Sequence, residues 1–213
     1  ADQFGVRVNG AYRDGETAID GEDRRTQVIG ASFDYDGGNL RAVLDLAYQG
    51  IRVDNLRPKV TISSTAIPAV PEADANYAQD YTYTELDELF GTLSLEYDLA
   101  PNAMIYAKAG AREGDEEGVY GGITVTDAAT GDGTSGFHSY IPFKASNQAV
   151  EAGLRVLLGS TITQEINFGG NMIWQEDRTA YDFYSAFPTN LYDPVQVSPQ
   201  PTAFAGGDLD DPY

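Results

Sequence analysis

Whether the chain could be a hydrolase of the Ser–His–Asp type depends on its one histidine. His138 is the single histidine of the chain, and it stands in the sequence GTSGFHSYIP (133–142). A hydrolase triad uses a histidine as general base, with a nucleophile and an orienting carboxylate around it. A lone histidine in a loop is typical of a solvated side chain. We therefore expect no enzyme activity, no catalytic residue, no metal site and no cofactor.

Carboxylates are abundant enough to raise the question of a cation site. The stretch DYDGGN (34–39) resembles part of a calcium-binding loop, and REGDEEG (112–118) is dense in acidic residues. The first lacks the spaced bidentate glutamate of an EF-hand loop, and its glycine pair is typical of a turn. The second is interpreted as a solvated external loop, with a cation that bridges lipopolysaccharide as the alternative.

Aromatic residues cluster in three stretches, and they are better candidates for ligand contact. The stretches are NYAQDYTYTELDELF (76–90), GFHSYIPF (136–143) and YDFYSAFPTNLYDP (181–194). Aromatic side chains line pockets for partly apolar ligands such as chelates. The alternative is that these rings pack loop against loop or lie at a membrane boundary. The candidate ligand-binding residues are Tyr77, Tyr81, Tyr83, Phe137, His138, Tyr140, Tyr181, Phe183 and Tyr184.

The composition narrows the possible partners of these side chains. The chain has 213 residues, with 33 acidic against 13 basic side chains and a formal net charge of −20. Nucleic acid is therefore not an expected partner, because phosphate binding needs a basic surface. The absence of cysteine excludes a disulfide scaffold. The 14 tyrosines, 9 phenylalanines and 23 glycines are typical of many strands and turns.

Alternation of apolar and polar residues indicates the elements that must position these side chains. In QFGVRVNGAYRDG (3–15), Phe4, Val6, Val8 and Tyr12 share one face of a strand, because alternate side chains point to opposite faces. Runs of about ten residues, the length that crosses a bilayer as a tilted strand, repeat this pattern. Seven strands are predicted, within 3–15, 26–35, 40–49, 89–98, 103–112, 149–158 and 162–174.

The connections between these strands alternate strictly between short and long. The sequences DGG (36–38), LAPN (99–102) and GST (159–161) predict tight turns. The other connections, at 14–25, 51–82 and 113–146, and the stretch after 175, are predicted to be long loops. All tight turns then lie at one end of the sheet and all long loops at the other, as in outer-membrane barrels.

The apolar faces could be covered by lipid or by a second layer of protein. Aromatic residues lie on the apolar face near the predicted strand ends, where a membrane–water boundary favours them. The predicted membrane-interface aromatics are Tyr12, Tyr35, Tyr48, Tyr97 and Trp174. The residues between them carry no charge, which favours lipid. A soluble or secreted β-rich binding or adhesion module remains the alternative.

The ordered set of strands resembles a known family. GVRVNGAYRDGETAIDG (5–21), followed by RRTQVIGASFDYDGGNLRAVLDLAYQ (24–49), resembles the first barrel strands of TonB-dependent outer-membrane receptors, particularly the ferric-siderophore branch. LSLEYDLAPNAMIYAKAGAR (93–112) resembles the next hairpin of those receptors. The similarity covers residues 3–112 well and 146–175 by pattern.

The resemblance implies an all-β fold, an antiparallel transmembrane barrel of about 22 strands, in the bacterial outer membrane. Residues 1–213 are expected to form part of one barrel domain, with the plug domain and the remaining strands outside this sequence. The implied function is binding of a ferric siderophore or similar chelate and its import by TonB-coupled transport. The implied partners are the chelate, TonB acting through the plug, and outer-membrane lipid. A passive porin or other channel is the alternative within membrane proteins.

Overall fold

A single antiparallel sheet forms most of the protein in the computed structural model, which describes residues 3–198 and Leu209. Eleven strands are present among these residues. The same residues form no helix that is long and apolar enough to cross a membrane. The strands are β1 (Phe4–Glu16), β2 (Asp23–Asp36), β3 (Leu40–Asp54), β4 (Lys59–Ile62), β5 (Tyr83–Ala100), β6 (Ala103–Val125), β7 (Asp132–Tyr140), β8 (Phe143–Leu158), β9 (Gln164–Thr179), β10 (Asp182–Phe183) and β11 (Phe187–Asn190).

Seven of these strands form a continuous wall, and they are the seven that the alternation predicts. The wall consists of β1, β2, β3, β5, residues 103–116 of β6, β8 and β9, each antiparallel to its neighbour. The prediction of an all-β antiparallel fold is confirmed. That the whole chain belongs to one barrel domain stays a prediction.

Except for β1, the wall strands are longer than the alternating runs that predict them. β1 has 13 residues, which at about 3.4 Å per residue extend roughly 44 Å, or roughly 31 Å of height at a 45° tilt. β5 and β6 have 18 and 23 residues. Residues 83–88 of β5 and 113–118 of β6, beyond the alternating runs, are mostly polar, which is why the sequence pattern does not extend to them. Half of the connection predicted at 14–25 is strand, and the actual loop covers only residues 17–22.

The tight turns lie together at one end of the wall, as predicted. They connect β2 to β3, β5 to β6, and β8 to β9. At the first of them Gly38 has φ +82°, and its backbone N–H donates to the Asp36 side chain at 3.2 Å. We call this end of the wall the turn end and the opposite end the external end.

The long connections contain strands that the sequence pattern did not indicate. β6 continues beyond its pairing with β8 and forms a hairpin with β7, while β4 lies parallel to residues 122–125 of β6. β10 and β11 pair with β7. We call β4, residues 119–125 of β6, β7, β10 and β11 the external sheet. The prediction that 113–146 is a loop is wrong, because this stretch pairs with β5, β7 and β8.

The apolar core lies outside the wall. Ile123, Val125 and Leu191 are 0–3% exposed and form a cluster against which Val60 and Tyr77 pack. On the wall, by contrast, the apolar face is open: Val8 is 66% exposed and Phe168 67%. Every substantial contact between described strands is between hydrogen-bonded neighbours. No second layer of described protein therefore covers the apolar face.

Candidate ligand-binding site

The aromatic candidates separate into several groups, and the most buried group surrounds His138. This side chain is 3% exposed. Its Nδ1 lies 3.3 Å from the Tyr81 hydroxyl and its Nε2 lies 2.6 Å from the Ser135 hydroxyl. The expectation of a solvated loop histidine is wrong, because His138 belongs to strand β7 and its ring is buried within the external sheet. We call His138, Tyr81, Ser135, Tyr184 and Phe187 the histidine cluster.

Aromatic rings complete the surroundings of His138. The ring of Phe187 lies 5.7 Å from the imidazole between centroids, and the ring of Tyr81 lies at the same distance. Tyr184 meets Tyr81 edge-on at 6.4 Å, and its backbone N–H donates to the His138 carbonyl at 2.7 Å. Ser135 and Phe187 were not predicted, since nothing in their local sequence distinguishes them.

This environment keeps His138 neutral and inaccessible. Burial lowers the pKa of the imidazole from 6.5, and burial raises the pKa of Tyr81 and of Tyr184 from 10.0. A Ser–His pair within hydrogen-bond distance is the geometry of an activated nucleophile. Here the serine is 3% exposed, and the imidazole contacts a tyrosine where a triad has a carboxylate. The arrangement supports packing rather than bond chemistry.

A second group, Tyr83 and Tyr140, faces the outer side of the sheet. Their hydroxyls donate to the two carboxylate oxygens of Glu117 at 3.0 and 2.8 Å. Burial and the bond to Glu117 raise the pKa of Tyr140 to about 12, and the same causes raise the pKa of Tyr83. Since Tyr83 is six residues from Leu89 in one strand, the two share a face. The spacing in the sequence alone could therefore have placed Tyr83 on the apolar face of β5.

The remaining candidates differ in accessibility. Tyr77 packs on the apolar core of the external sheet, with the Arg57 guanidinium 6.0 Å from its ring. The rings of Tyr181 and Phe183 lie 4.9 Å apart between centroids in a tilted contact, and the two residues are 38% and 59% exposed. The side chain of Phe137 lies outside the described part of the chain. Among the described candidates, Tyr181 and Phe183 are therefore the most open to a ligand.

Ion pairs line the face opposite the apolar one. Near the turn end, Arg41 contacts Asp98 at 2.7 Å and Glu96 at 3.1 Å. Higher up, Arg112 pairs with Glu88. All five charged side chains lie on the same face of the wall, opposite to Leu44 and Leu93. A polar, charge-paired face is typical of the lumen side of an outer-membrane barrel.

Neither acidic stretch has the geometry of a cation site. Residues 34–39 form the end of β2 and its turn, and residues 112–118 lie within β6. The interpretation of 112–118 as a loop is therefore wrong. Among the residues that the structure describes, no cluster of three or more histidine and acidic side chains could hold a metal ion.

The predicted membrane-interface aromatics lie on the apolar face of the wall. Tyr12, Tyr97 and Trp174 are 43–66% exposed. Tyr35 stacks on Phe4 at 4.8 Å, and the Tyr48 hydroxyl bonds to Asp87. Their positions fit a membrane–water boundary, where the ring contacts apolar groups and its polar group is hydrated. Their contact with lipid stays a prediction.

Comparison with known proteins identifies similar chains. No family model matches the sequence. The ferrichrome receptor FcuA of Yersinia enterocolitica is 34% identical over 213 residues, which is 99% of this chain and 28% of that protein. The present chain thus spans less than a third of this relative.

Solved structures share the fold. The ferric preacinetobactin receptor BauA of Acinetobacter baumannii superposes with a TM-score of 0.80 at 24% identity, over 96% of this chain and 31% of that one. The ferripyoverdine receptor of the Pseudomonas aeruginosa outer membrane gives 0.79 at 12% identity, over 97% and 29%. The ferric-catecholate import receptor Fiu of E. coli K12 gives 0.75 at 14%, over 97% and 35%. The similarity predicted from the sequence is thereby confirmed.

Proposed function

We infer that the chain belongs to the TonB-dependent outer-membrane receptors and forms part of the β-barrel of a ferric-siderophore receptor. One observation carries this inference: no described part of the chain covers the apolar face of the wall, over a height that matches a bilayer. A soluble sandwich would pack that face against a second sheet. The grouping of tight turns at one end supports the same assignment.

The external sheet and the loops around it form the ligand-binding side in this proposal. They lie at the end opposite the tight turns, where barrels of this type carry their long loops. Tyr181 and Phe183 are the proposed contact residues because they are exposed there. The relatives are named for chemically different ligands, ferrichrome, preacinetobactin and pyoverdine. The proposed ligand is therefore a ferric siderophore, without a narrower class.

Transport rather than catalysis follows from this arrangement. The proposed lumen face carries ion pairs such as Arg41 with Asp98, and the exposed aromatic pair Tyr181 and Phe183 lies at the external end. The proposed receptor binds the chelate there and imports it with energy that TonB supplies through the plug domain. The chain's own contribution is the wall, the lumen lining and part of the external binding surface.

Uptake of radioactive iron tests this function. The complete receptor is expressed in cells that lack their own siderophore receptors, with and without TonB, and a panel of iron-loaded siderophores is supplied. We expect uptake of at least one chelate that disappears without TonB. Uptake that persists without TonB would instead support a passive channel.

Ligand contact at the exposed aromatic pair is tested by binding. Replacement of both Tyr181 and Phe183 by alanine should weaken siderophore binding about tenfold, since loss of a contacting aromatic costs on the order of 1–2 kcal/mol. Ile67→Ala is the matched control, because this side chain is 83% exposed on another external loop. Equal affinity of the double variant and the native receptor would remove this pair from the site.

A further inference from the structure

His138 connects three separate external segments. Its Nδ1 contacts Tyr81, which belongs to the connection between β4 and β5. Its Nε2 contacts Ser135 within β7, and its carbonyl accepts from the Tyr184 N–H in the connection between β10 and β11. The ring also lies over Gly121 of β6, where an added Cβ would meet the imidazole at 2.5 Å. One imidazole therefore contacts all of these segments.

The groups around the imidazole are almost all uncharged. Tyr81 and Tyr184 are the titratable groups that face the cluster from the two connections, and both stay protonated at neutral pH. Phe187 of β11 is apolar, and β6 presents a glycine. The charge of Asp182 helps to raise the pKa of Tyr184, while Glu117 accepts hydrogen bonds from Tyr83 and Tyr140. No described carboxylate forms an ion pair with His138.

A proton on this imidazole would therefore be poorly compensated. A neutral imidazole donates from one nitrogen and accepts at the other, which suits two hydroxyl partners. The protonated ring donates from both nitrogens, so both hydroxyls must accept, and the charge is separated from water. Burial of an unpaired charge is unfavourable, whereas an opened cluster hydrates it.

We propose that the histidine cluster is a pH-sensitive latch that holds the external segments 76–82, 132–140 and 181–187 together at neutral pH and releases them when His138 is protonated. This device goes beyond binding and transport, and it concerns the external segments alone. It would alter access to the external end of the barrel in acidic surroundings.

The direction of the pH dependence follows from proton linkage. The closed cluster has the lower histidine pKa, while the open cluster has the ordinary value of 6.5. Above pH 6.5 the cluster keeps its full stability. As the pH falls below 6.5 the open form gains protons first, and the opening equilibrium increases up to about tenfold per pH unit until the closed form is also protonated.

Amide hydrogen exchange of the complete receptor in nanodiscs tests the latch. Exchange is measured from pH 7.5 down to pH 4.5 and corrected for the intrinsic pH dependence. We expect the corrected opening of peptides from 132–140 and 181–187 to increase below pH 6.5, and peptides from 42–47 in the wall to stay constant. A constant corrected opening in the external peptides would overturn the proposal.

Three variants make the assignment specific. His138→Gln should abolish the pH dependence, whatever its effect at neutral pH. Gln196→Leu removes a neighbouring non-titrating clamp, in which Gln196 bonds to Asp80 and Ala78 at 3.1 and 2.8 Å. It should increase opening at every pH and keep the slope. A slope that survives in His138→Gln would assign the effect to another group and contradict the latch.

The third variant covers the case in which His138→Gln does not assemble. Tyr81→Phe keeps the ring contact and removes the hydroxyl from Nδ1. Because this variant weakens the closed form of the cluster, opening at neutral pH should increase severalfold, while the response below pH 6.5 remains. If Tyr81→Phe opens to the same extent as the native receptor, both at neutral pH and below pH 6.5, Tyr81 and His138 do not act together.

Discussion

In the wall, large apolar side chains are exposed, whereas those at the centre of the external sheet are buried. Val6 and Val8 of β1 are each 66% exposed, while Ile123 and Val125 of β6 are 2% and 0% exposed. Both regions belong to one hydrogen-bonded sheet, and β6 runs through both. Strand structure is therefore common to the two regions, and the difference lies in what surrounds the side chains.

The difference indicates two solvents. The external sheet buries its apolar residues in protein, as a water-soluble domain does. The wall presents them outward over the height of a hydrocarbon layer and becomes polar above it, where Glu85 and Asp87 follow Leu89 on the same face of β5. The change within one strand marks the upper boundary of the proposed membrane.

The largest expected effect separates the core of the external sheet from the wall. Ile123→Ala should destabilise the external sheet by about 2–5 kcal/mol, because it leaves a cavity in a closed core. Hydrogen exchange of peptides from 119–140 measures this local opening. Ile62→Ala in β4 is the control, since its side chain is 43% exposed and its loss should cost far less. Equal acceleration of wall peptides would contradict the independence of the two regions.

A charge on the wall tests its solvent directly. Leu93→Arg places a guanidinium on the apolar face and should cost about 2–4 kcal/mol if that face contacts the middle of a bilayer. Ser94→Arg places the same charge on the opposite face of β5 and should cost little. Urea titration of the complete receptor folded into phospholipid vesicles measures both. Similar costs for the two variants would contradict the assignment of one face to lipid.

The sequence predicts the wall far better than the external sheet, for a physical reason. In a wall strand such as β3, one face meets lipid and the other meets the lumen, so LRAVLDLAYQ alternates. β11 pairs with β7, which is distant in sequence, through only four residue pairs. The sequences of β7 and β11 do not alternate. Their strand structure depends on tertiary contacts that local patterning does not encode.

The candidate site follows the same division. The aromatic clusters correctly mark residues that lie at the external end, but the sequence does not indicate which rings meet. Tyr81 and His138 are 57 residues apart, and only the fold brings them together. The face of Tyr83 was predictable from its spacing to Leu89, whereas the burial of His138 was not.

The hydrogen bonds of the Gln79 side chain, outside the apolar core, give a prediction with a smaller expected effect on stability. The Gln79 side chain, which is 2% exposed, donates to the Val195 carbonyl at 2.8 Å and accepts from the Val197 N–H at 3.0 Å. Gln79→Leu leaves both backbone groups without this partner and should cost about 1–3 kcal/mol. Faster proteolysis within 191–198 is the expected readout. Gln148→Leu on an exposed wall position is the control and should leave cleavage unchanged.

The smallest expected effect concerns the turn between β6 and β7. The Asn190 amide donates to the Asp132 carboxylate at 2.8 Å, and the Thr130 hydroxyl donates to it at 2.8 Å. These bonds lower the pKa of Asp132 below 3.8. Because the folded pKa is lowered, the stabilisation is complete above about pH 3.8 and is lost as the pH falls through the lower folded value.

Exchange of amides in 126–132 between about pH 5 and pH 2.5 measures this loss after correction for intrinsic rates. Asn190→Ala should increase opening at pH 5 and reduce the further increase on acidification, because less of the carboxylate's stabilisation remains to be lost. This window lies below that of His138, so the two dependences can be separated in one titration. A native turn whose opening is the same at both ends of the titration would show that the Asp132 carboxylate does not stabilise it.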